Sequence, residues 1–295
     1  MGNETWGCGG DFAPDEYAVE YRRYTTWLPE FSGPLALIAS GPNRGDLDWT
    51  QRFFAKLVEK GKDELEKVYG WAIHYYCGTS GAGQAVDFTT DDWYSLLSKA
   101  MVMESMITRH WSVLGETDTE HRVKLVVDEW GTWHRTGTEV HPTYLLSQMS
   151  TMRDALVSAL TLDIFNRHAD KVAMANLAQL VNNLDSLFLA VEDQFIVTPN
   201  YRVFAMYAAH QGGQALRTVF GAPTRNVREG QERWSLDRLA GSASKRGKIL
   251  VLTAVNTDAQ AARDRDRIAR GFGAIRESQH TGRPGYSRAQ QFFSS

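Results

Sequence analysis

At 295 residues the chain is long enough to bury a full core, and 43% hydrophobic against 23% charged residues is an ordinary globular balance that excludes a disordered or fibrous protein. A formal net charge of −3 gives no electrostatic reason to expect nucleic acid or an anionic membrane as a partner. Cys8 and Cys77, the only cysteines, are too few for a disulfide framework and wrongly spaced for zinc.

No apolar run reaches the length needed to span a bilayer, and no basic-then-apolar leader opens the chain. The expected compartment is therefore the cytoplasm, with no membrane partner. Nine Trp and eleven Tyr offer flat faces that suit sugar rings, although most aromatics fill cores.

In chain order, residues 15–27 read as a helix, 34–40 (PLALIAS) as a buried strand and 48–60 as a second helix. Residues 68–76 (VYGWAIHYY) form the next strand, followed by one long helix over 90–114. In that helix Leu97, Met101, Ile107, Trp111 and Leu114 recur at three- and four-residue steps apart from one longer gap, the stripe of a buried face. Residues 123–129 (VKLVVDE) are the third strand and 144–168 a helix. Residues 172–180 (VAMANLAQL) read as a fourth strand, though their alanines also fit a helix, and 201–220 as a last helix. Apolar strands alternating with amphipathic helices imply a parallel sheet covered on both faces. Beyond 220 the rhythm changes: 234–243 and 248–256 read as strands of a β-structure. From 258 the chain turns Arg- and Gly-rich without periodicity, the composition of a disordered tail.

Three segments carry chemistry. The opening GNETWGCGG places Asn3 and Glu4 before a glycine-rich loop and a helix, which suits a carboxylate at a strand end facing a cleft. The bland alternative is an N-terminal turn with a solvated Glu. In VVDEWGTW (126–133) an apolar strand runs straight into Asp128 and Glu129, and buried strands do not end in acids without a partner or a role. Here the bland alternative is a capping Asp and an exposed Glu. His74, with Tyr75 and Tyr76, closes the second strand. It is either a structural histidine or, near carboxylates, the group that keeps one of them charged. Two carboxylates at the mouths of different strands are the minimum equipment for glycoside hydrolysis, one protonated and one ionised. A metal-dependent hydrolase using His74, Asp128 and His134 is the weaker reading, because neither His-x-His nor His-Glu-x-x-His spacing occurs. The expected site holds no metal and no cofactor.

Taken together, GNETWGCGG, HYYCG (74–78), VVDEWGTWH (126–134), MRDALVSALTLDIFNRHADKVAMANLAQLVNNL (152–184) and VTPNYRVFAMYAAHQG (197–212) resemble the family-51 α-L-arabinofuranosidases, retaining glycosidases built on a (β/α)8 barrel. The resemblance covers roughly residues 1–255, in the right order. It implies that Glu4 is the general acid/base at the end of barrel strand four and Glu129 the nucleophile at the end of strand seven. It implies that Asn3 holds the sugar's 2-hydroxyl, that Tyr76 and His74 orient the nucleophile, that Gln179 contacts the sugar and that Trp133 walls the cleft.

The fold class it implies is α/β: the C-terminal half of a (β/α)8 TIM barrel followed by an incomplete β-sandwich segment. The barrel part runs from the end of strand four to helix eight over residues 1–220, the sandwich strands over 221–257 and the tail over 258–295. Family members carry strands one to three and the body of strand four ahead of the Asn-Glu pair, so the N-terminus reads as incomplete. The implied activity is hydrolysis of non-reducing-end α-L-arabinofuranosyl residues from arabinan, arabinoxylan or arabino-oligosaccharides. A homo-oligomer is compatible with it. The alternatives are an inactive fragment of such an enzyme and a carbohydrate-binding protein without turnover.

Overall fold

A computed structural model describes residues 2–29, 32–77 and 80–259. Gly78, and the expected tail apart from 258 and 259, lie outside the described residues. Helix α1 (Pro14–Thr26) starts on a proline, whose missing N–H costs nothing in a first turn. Strands β1 (Ile38–Ala39), β2 (Gly70–Tyr75), β3 (Lys124–Trp130) and β4 (Val172–Leu177) then form one sheet in that spatial order. All three pairings are parallel, so each connection is a crossover, made by α2 (Leu47–Leu57), by α3 (Thr90–Ala100) with α4 (Val102–Thr117), and by α5 (Met152–Arg167). Every residue of β2 is buried, which accounts for its unbroken apolar run where a half-exposed strand would alternate.

The core behind this sheet is aromatic. Phe53 of α2 lies 4.5 Å from the Trp71 ring of β2 and 5.3 Å from that of Tyr17 in α1, centroid to centroid. The Trp71 indole N–H donates to Thr50 Oγ1 at 3.1 Å, and Thr50 in turn meets His110 of α4 at 3.0 Å. Burial drives the His110 imidazole down to about 4, so this histidine stays neutral and serves packing.

Several expected elements change on folding. Only Ile38–Ala39 of the 34–40 run becomes strand. The single helix expected over 90–114 breaks at Met101, where the chain passes from α3 to α4. The helix expected from 144 starts at Met152, because the Thr151 side chain and Asp154 close a capping box there. The helix expected over 201–220 is α6 (Pro199–Tyr207), with one 3-10 turn after it. Gly212, at φ +70°, turns the chain away from helix, and β7 (Gln214–Leu216) joins a different sheet. The ambiguous 172–180 run is strand as far as Leu177.

The remaining β-structure is antiparallel. It comprises the hairpins β5 (Phe188–Val191) with β6 (Gln194–Val197) and β8 (Thr224–Glu229) with β9 (Glu232–Asp237). Strands β10 (Leu239–Arg246) and β11 (Ile249–Asn256) pair with each other, and β7 pairs with β10, so residues 214–216 belong to this part. The strand expected over 234–243 is thus the end of β9 and the start of β10.

A buried acid ties α5 to this second sheet. Ser242 and Thr253 donate hydroxyls to Asp163 Oδ1 at 2.6 and 2.8 Å, and Asn166 donates to Ser242 at 2.9 Å. Burial raises the Asp163 carboxyl to about 6 despite these two donors. The folded state therefore keeps a proton that the unfolded chain has released, and this costs stability as pH rises from about 4 to about 6, by ~3 kcal/mol. Urea titrations from pH 4 to 8 should show that fall in the wild type and a flatter profile in Asp163→Asn.

Candidate active site

The carboxyl ends of β2 and β3 meet a turn-rich segment from the N-terminus, and the sequence-predicted carboxylates converge there. Glu4 is not carried by a strand among the described residues: residues 3–10 run as bends and turns. Its backbone has φ +43°, and its carbonyl accepts the Gly7 and Gly9 amides at 2.8 and 3.1 Å. Gly9 has to be glycine, since a Cβ there would sit 1.7 Å from the Asn3 carbonyl oxygen. Buried Thr5 pins the segment to the sheet through Ser40 Oγ at 3.4 Å.

On β3 an irregularity brings both acids to one side. Ala72 pairs with Val126 and His74 with Glu129, so two steps on β2 face three on β3. The same extra residue appears against β4, between Val127 opposite Ala175 and Trp130 opposite Leu177. In a regular strand Asp128 and Glu129 would point to opposite faces. A bulge re-aims them, and here both reach the His74 ring.

His74 is 6% exposed and has three carboxylates around it. Its Nδ1 lies 2.9 Å from Glu4 Oε1 and 3.5 Å from Glu129 Oε2, and its Nε2 lies 3.0 Å from Asp128 Oδ1. Burial alone lowers an imidazole's affinity for its proton, but Asp128, Glu129 and Glu4 outweigh it and push His74 up to about 9. At neutral pH this residue is an imidazolium.

Tyr76 Oη donates to Glu129 Oε2 at 2.6 Å, and burial followed by the Glu129 charge holds the phenol well above its ordinary range, so it remains a donor. One oxygen of Glu4, one of Glu129 and a ring nitrogen of His74 lie within 4.8 Å of one another. The Cys8 thiol lies 3.5 Å from Glu4 Oε2, and that contact raises its pKa.

Of the other predicted residues, Trp133 reaches this centre through Tyr76. Trp133 packs edge-on against Tyr76, with centroids 5.5 Å apart. Gln179 is exposed two residues beyond β4, and Asn3 is exposed beside Glu4. His134 is not part of the group: its Nε2 sits 2.7 Å from buried Asp154, which removes it from any ligand set with His74 and Asp128. Glu4, His74 and Glu129 are residue types that bind metals. A metal there would have to displace the proton that the carboxylates hold on the His74 ring.

By sequence Asp128 was the second acid of the VVDEW strand end, read as a cap or as a metal ligand, and its pairing with His74 was not foreseen. Cys8 gave no signal beyond its four-residue spacing from Glu4. Both ring nitrogens of His74 should carry protons at pH 7.5 in a long-range 1H–15N spectrum and titrate near 9. A neutral single tautomer at pH 7.5 would contradict the three-carboxylate cage.

A family model described as the α-L-arabinofuranosidase C-terminal domain matches residues 128–282. An intracellular exo-α-L-arabinofuranosidase of Bacteroides ovatus is 34% identical over 271 residues, 90% of this chain and 50% of that protein. An intracellular exo-α-(1→5)-L-arabinofuranosidase of Streptomyces lividans is 33% identical over 201 residues, 62% of this chain and 28% of that protein. Among solved structures, the GH51 arabinofuranosidase from Xanthomonas axonopodis pv. citri matches with a TM-score of 0.79 at 34% identity, over 88% of this chain and 52% of that one. The chain spans about half the length of the first of these relatives and of the solved structure. Among the described residues no helix is long and apolar enough to cross a membrane.

Proposed function

Because this chain belongs to the family-51 α-L-arabinofuranosidases, we propose that it hydrolyses non-reducing-end α-L-arabinofuranosyl residues of arabinan, arabinoxylan or their oligosaccharides, with retention at the anomeric carbon. The observation that carries this is the approach of Glu4 to Glu129 within 4.8 Å, both at the Nδ1 side of one imidazolium. Retaining glycosidases hold their carboxyl groups about 5–5.5 Å apart, whereas inverting ones leave about 6.5–9.5 Å for a water.

Glu129 is the nucleophile. Tyr76 occupies Oε2, so Oε1 attacks the anomeric carbon as the glycosidic C–O bond breaks. Glu4 gives its proton to the departing oxygen. In the second half it takes a proton from water, whose oxygen displaces Glu129 and restores both groups. His74, charged throughout, offsets the negative charge of the pair and, anchored by Asp128, fixes the distance between them. Asn3 and Gln179, both exposed, are assigned to sugar hydroxyls. Trp133 is assigned to the cleft wall.

The sequential, wholly parallel order β1-β2-β3-β4 supports reading the sheet as the C-terminal half of a (β/α)8 barrel. The antiparallel strands from β7 onward support an incomplete β-sandwich after it. The relatives named intracellular support action inside the cell. A second reading, an inactive fragment of such an enzyme, is favoured by the half-length match to those relatives.

Purified chain should release nitrophenol from 4-nitrophenyl α-L-arabinofuranoside, and Glu129→Gln should abolish this. Glu4→Ala should slow poor leaving groups by about 100-fold or more, with azide restoring turnover of a good one as the azide adduct of retained configuration. Equal slowing of all substrates without azide rescue would remove Glu4 from the acid/base role. No turnover from folded protein would leave the fragment reading.

A further inference from the structure

Two carboxylates with no solvent exposure lie under the site, and neither touches Glu4, His74 or Glu129. Asp185 sits in the loop after β4 and Asp154 in the first turn of α5. Burying one ionisable acid is costly, and burying two in one place is more so unless they hold something in place.

What they hold is the turn that leaves β3. Past Glu129 and Trp130 the chain turns at Gly131, with φ +135°, where a Cβ would meet Asp185 at 3.1 Å. Thr132 N–H then donates to Asp185 Oδ2 at 3.1 Å, and its hydroxyl donates to Asp154 Oδ1 at 3.0 Å. Asp185 Oδ1 accepts from Asn200 of α6 at 2.6 Å, so one carboxylate joins the turn after β3, the loop after β4 and the start of α6. The next residue along the turn is Trp133, whose ring closes on Tyr76, and Tyr76 holds Glu129.

We propose that Asp185 is a positioning residue for the nucleophile: through the Thr132 amide it sets where Trp133 packs on Tyr76, and so where Glu129 points. Its mechanistic part rests on the proposed hydrolytic function; its structural part does not. The titratable and charged groups that face Asp185 are Asp154 and Arg153 of α5, His134 of the turn and Cys77 at the end of β2. Burial, and then the negative charge of Asp154, hold the Asp185 carboxyl above its ordinary range, and a neutral amide keeps an acceptor oxygen for the Thr132 N–H.

Two measurements test this. In steady-state kinetics on 4-nitrophenyl α-L-arabinofuranoside, Asp185→Ala, which leaves the Thr132 amide without an acceptor, should lower kcat about 30-fold and change KM less than about threefold. Asp185→Asn should stay within about threefold of wild type. Independently of turnover, Trp133→Ala should change the unfolding equilibrium constant at least about threefold less in the Asp185→Ala background than in wild type, because the two residues act through one turn.

Equal kcat for Asp185→Ala and wild type, or additive effects in the unfolding cycle, would overturn the assignment. If the wild type turns over nothing, the functional reading fails and the unfolding cycle alone decides the positioning role. If Asp185→Ala does not fold, Asp185→Ser takes its place in both measurements, with the same outcomes supporting or overturning the proposal.

Discussion

Three carboxylates do not share a partly buried cleft unless a positive charge sits among them, and in this protein that charge is the His74 imidazolium. With Glu4, Asp128 and Glu129 all within 3.5 Å of its ring, removal of the proton would leave three acids facing one another at low dielectric. The arrangement is mutual: the acids keep the histidine charged, and the histidine lets the acids stay close. Everything around the site serves to put that ring and those oxygens in register. The aromatic wall behind β2 fixes the strand that carries His74, and the extra residue in β3 turns two adjacent acids toward one side.

That irregularity has a cost that the surrounding structure offsets. A bulge in the middle of a parallel ladder interrupts pairing on both sides of β3. The strand tolerates it because Leu125, Val126 and Val127 ahead of it and Trp130 after it are buried, and because the turn that follows is bonded to Asp185, Asp154 and Gln148. The site is therefore held from two directions, by apolar packing from within the sheet and by a polar network below the turn. The second sheet is joined to α5 through Asp163, at the end of that helix opposite the one bearing Asp154.

The α/β rhythm, the four apolar strands, the change to a different β-structure near the end and the acids that close the β3 strand were all legible from local pattern. Burial of β2 on every residue and the helical stripes follow from side-chain period alone. What pattern misjudged were the ends of elements. Residues 144–151 have helix-compatible composition, yet the capping box at Thr151 starts the helix later, and residues 214–216 pair with β10 instead of extending α6. Such boundaries depend on hydrogen bonds to distant partners, which no local window contains.

Sequence by itself determined which groups could do chemistry: the Asn-Glu pair before glycines, the Asp-Glu-Trp strand end, and His74 with Tyr76. It also determined the family, because long runs of residues match in order. Only the tertiary structure decided how those groups act. The separation of Glu4 from Glu129, the charge on His74, the recruitment of Asp128 as its anchor and the exclusion of His134 all arise between residues 20 to 125 positions apart. The physical reason is that a carboxylate's role is set by the charges and burial around it, and these are fixed by packing between elements and not by neighbours along the chain.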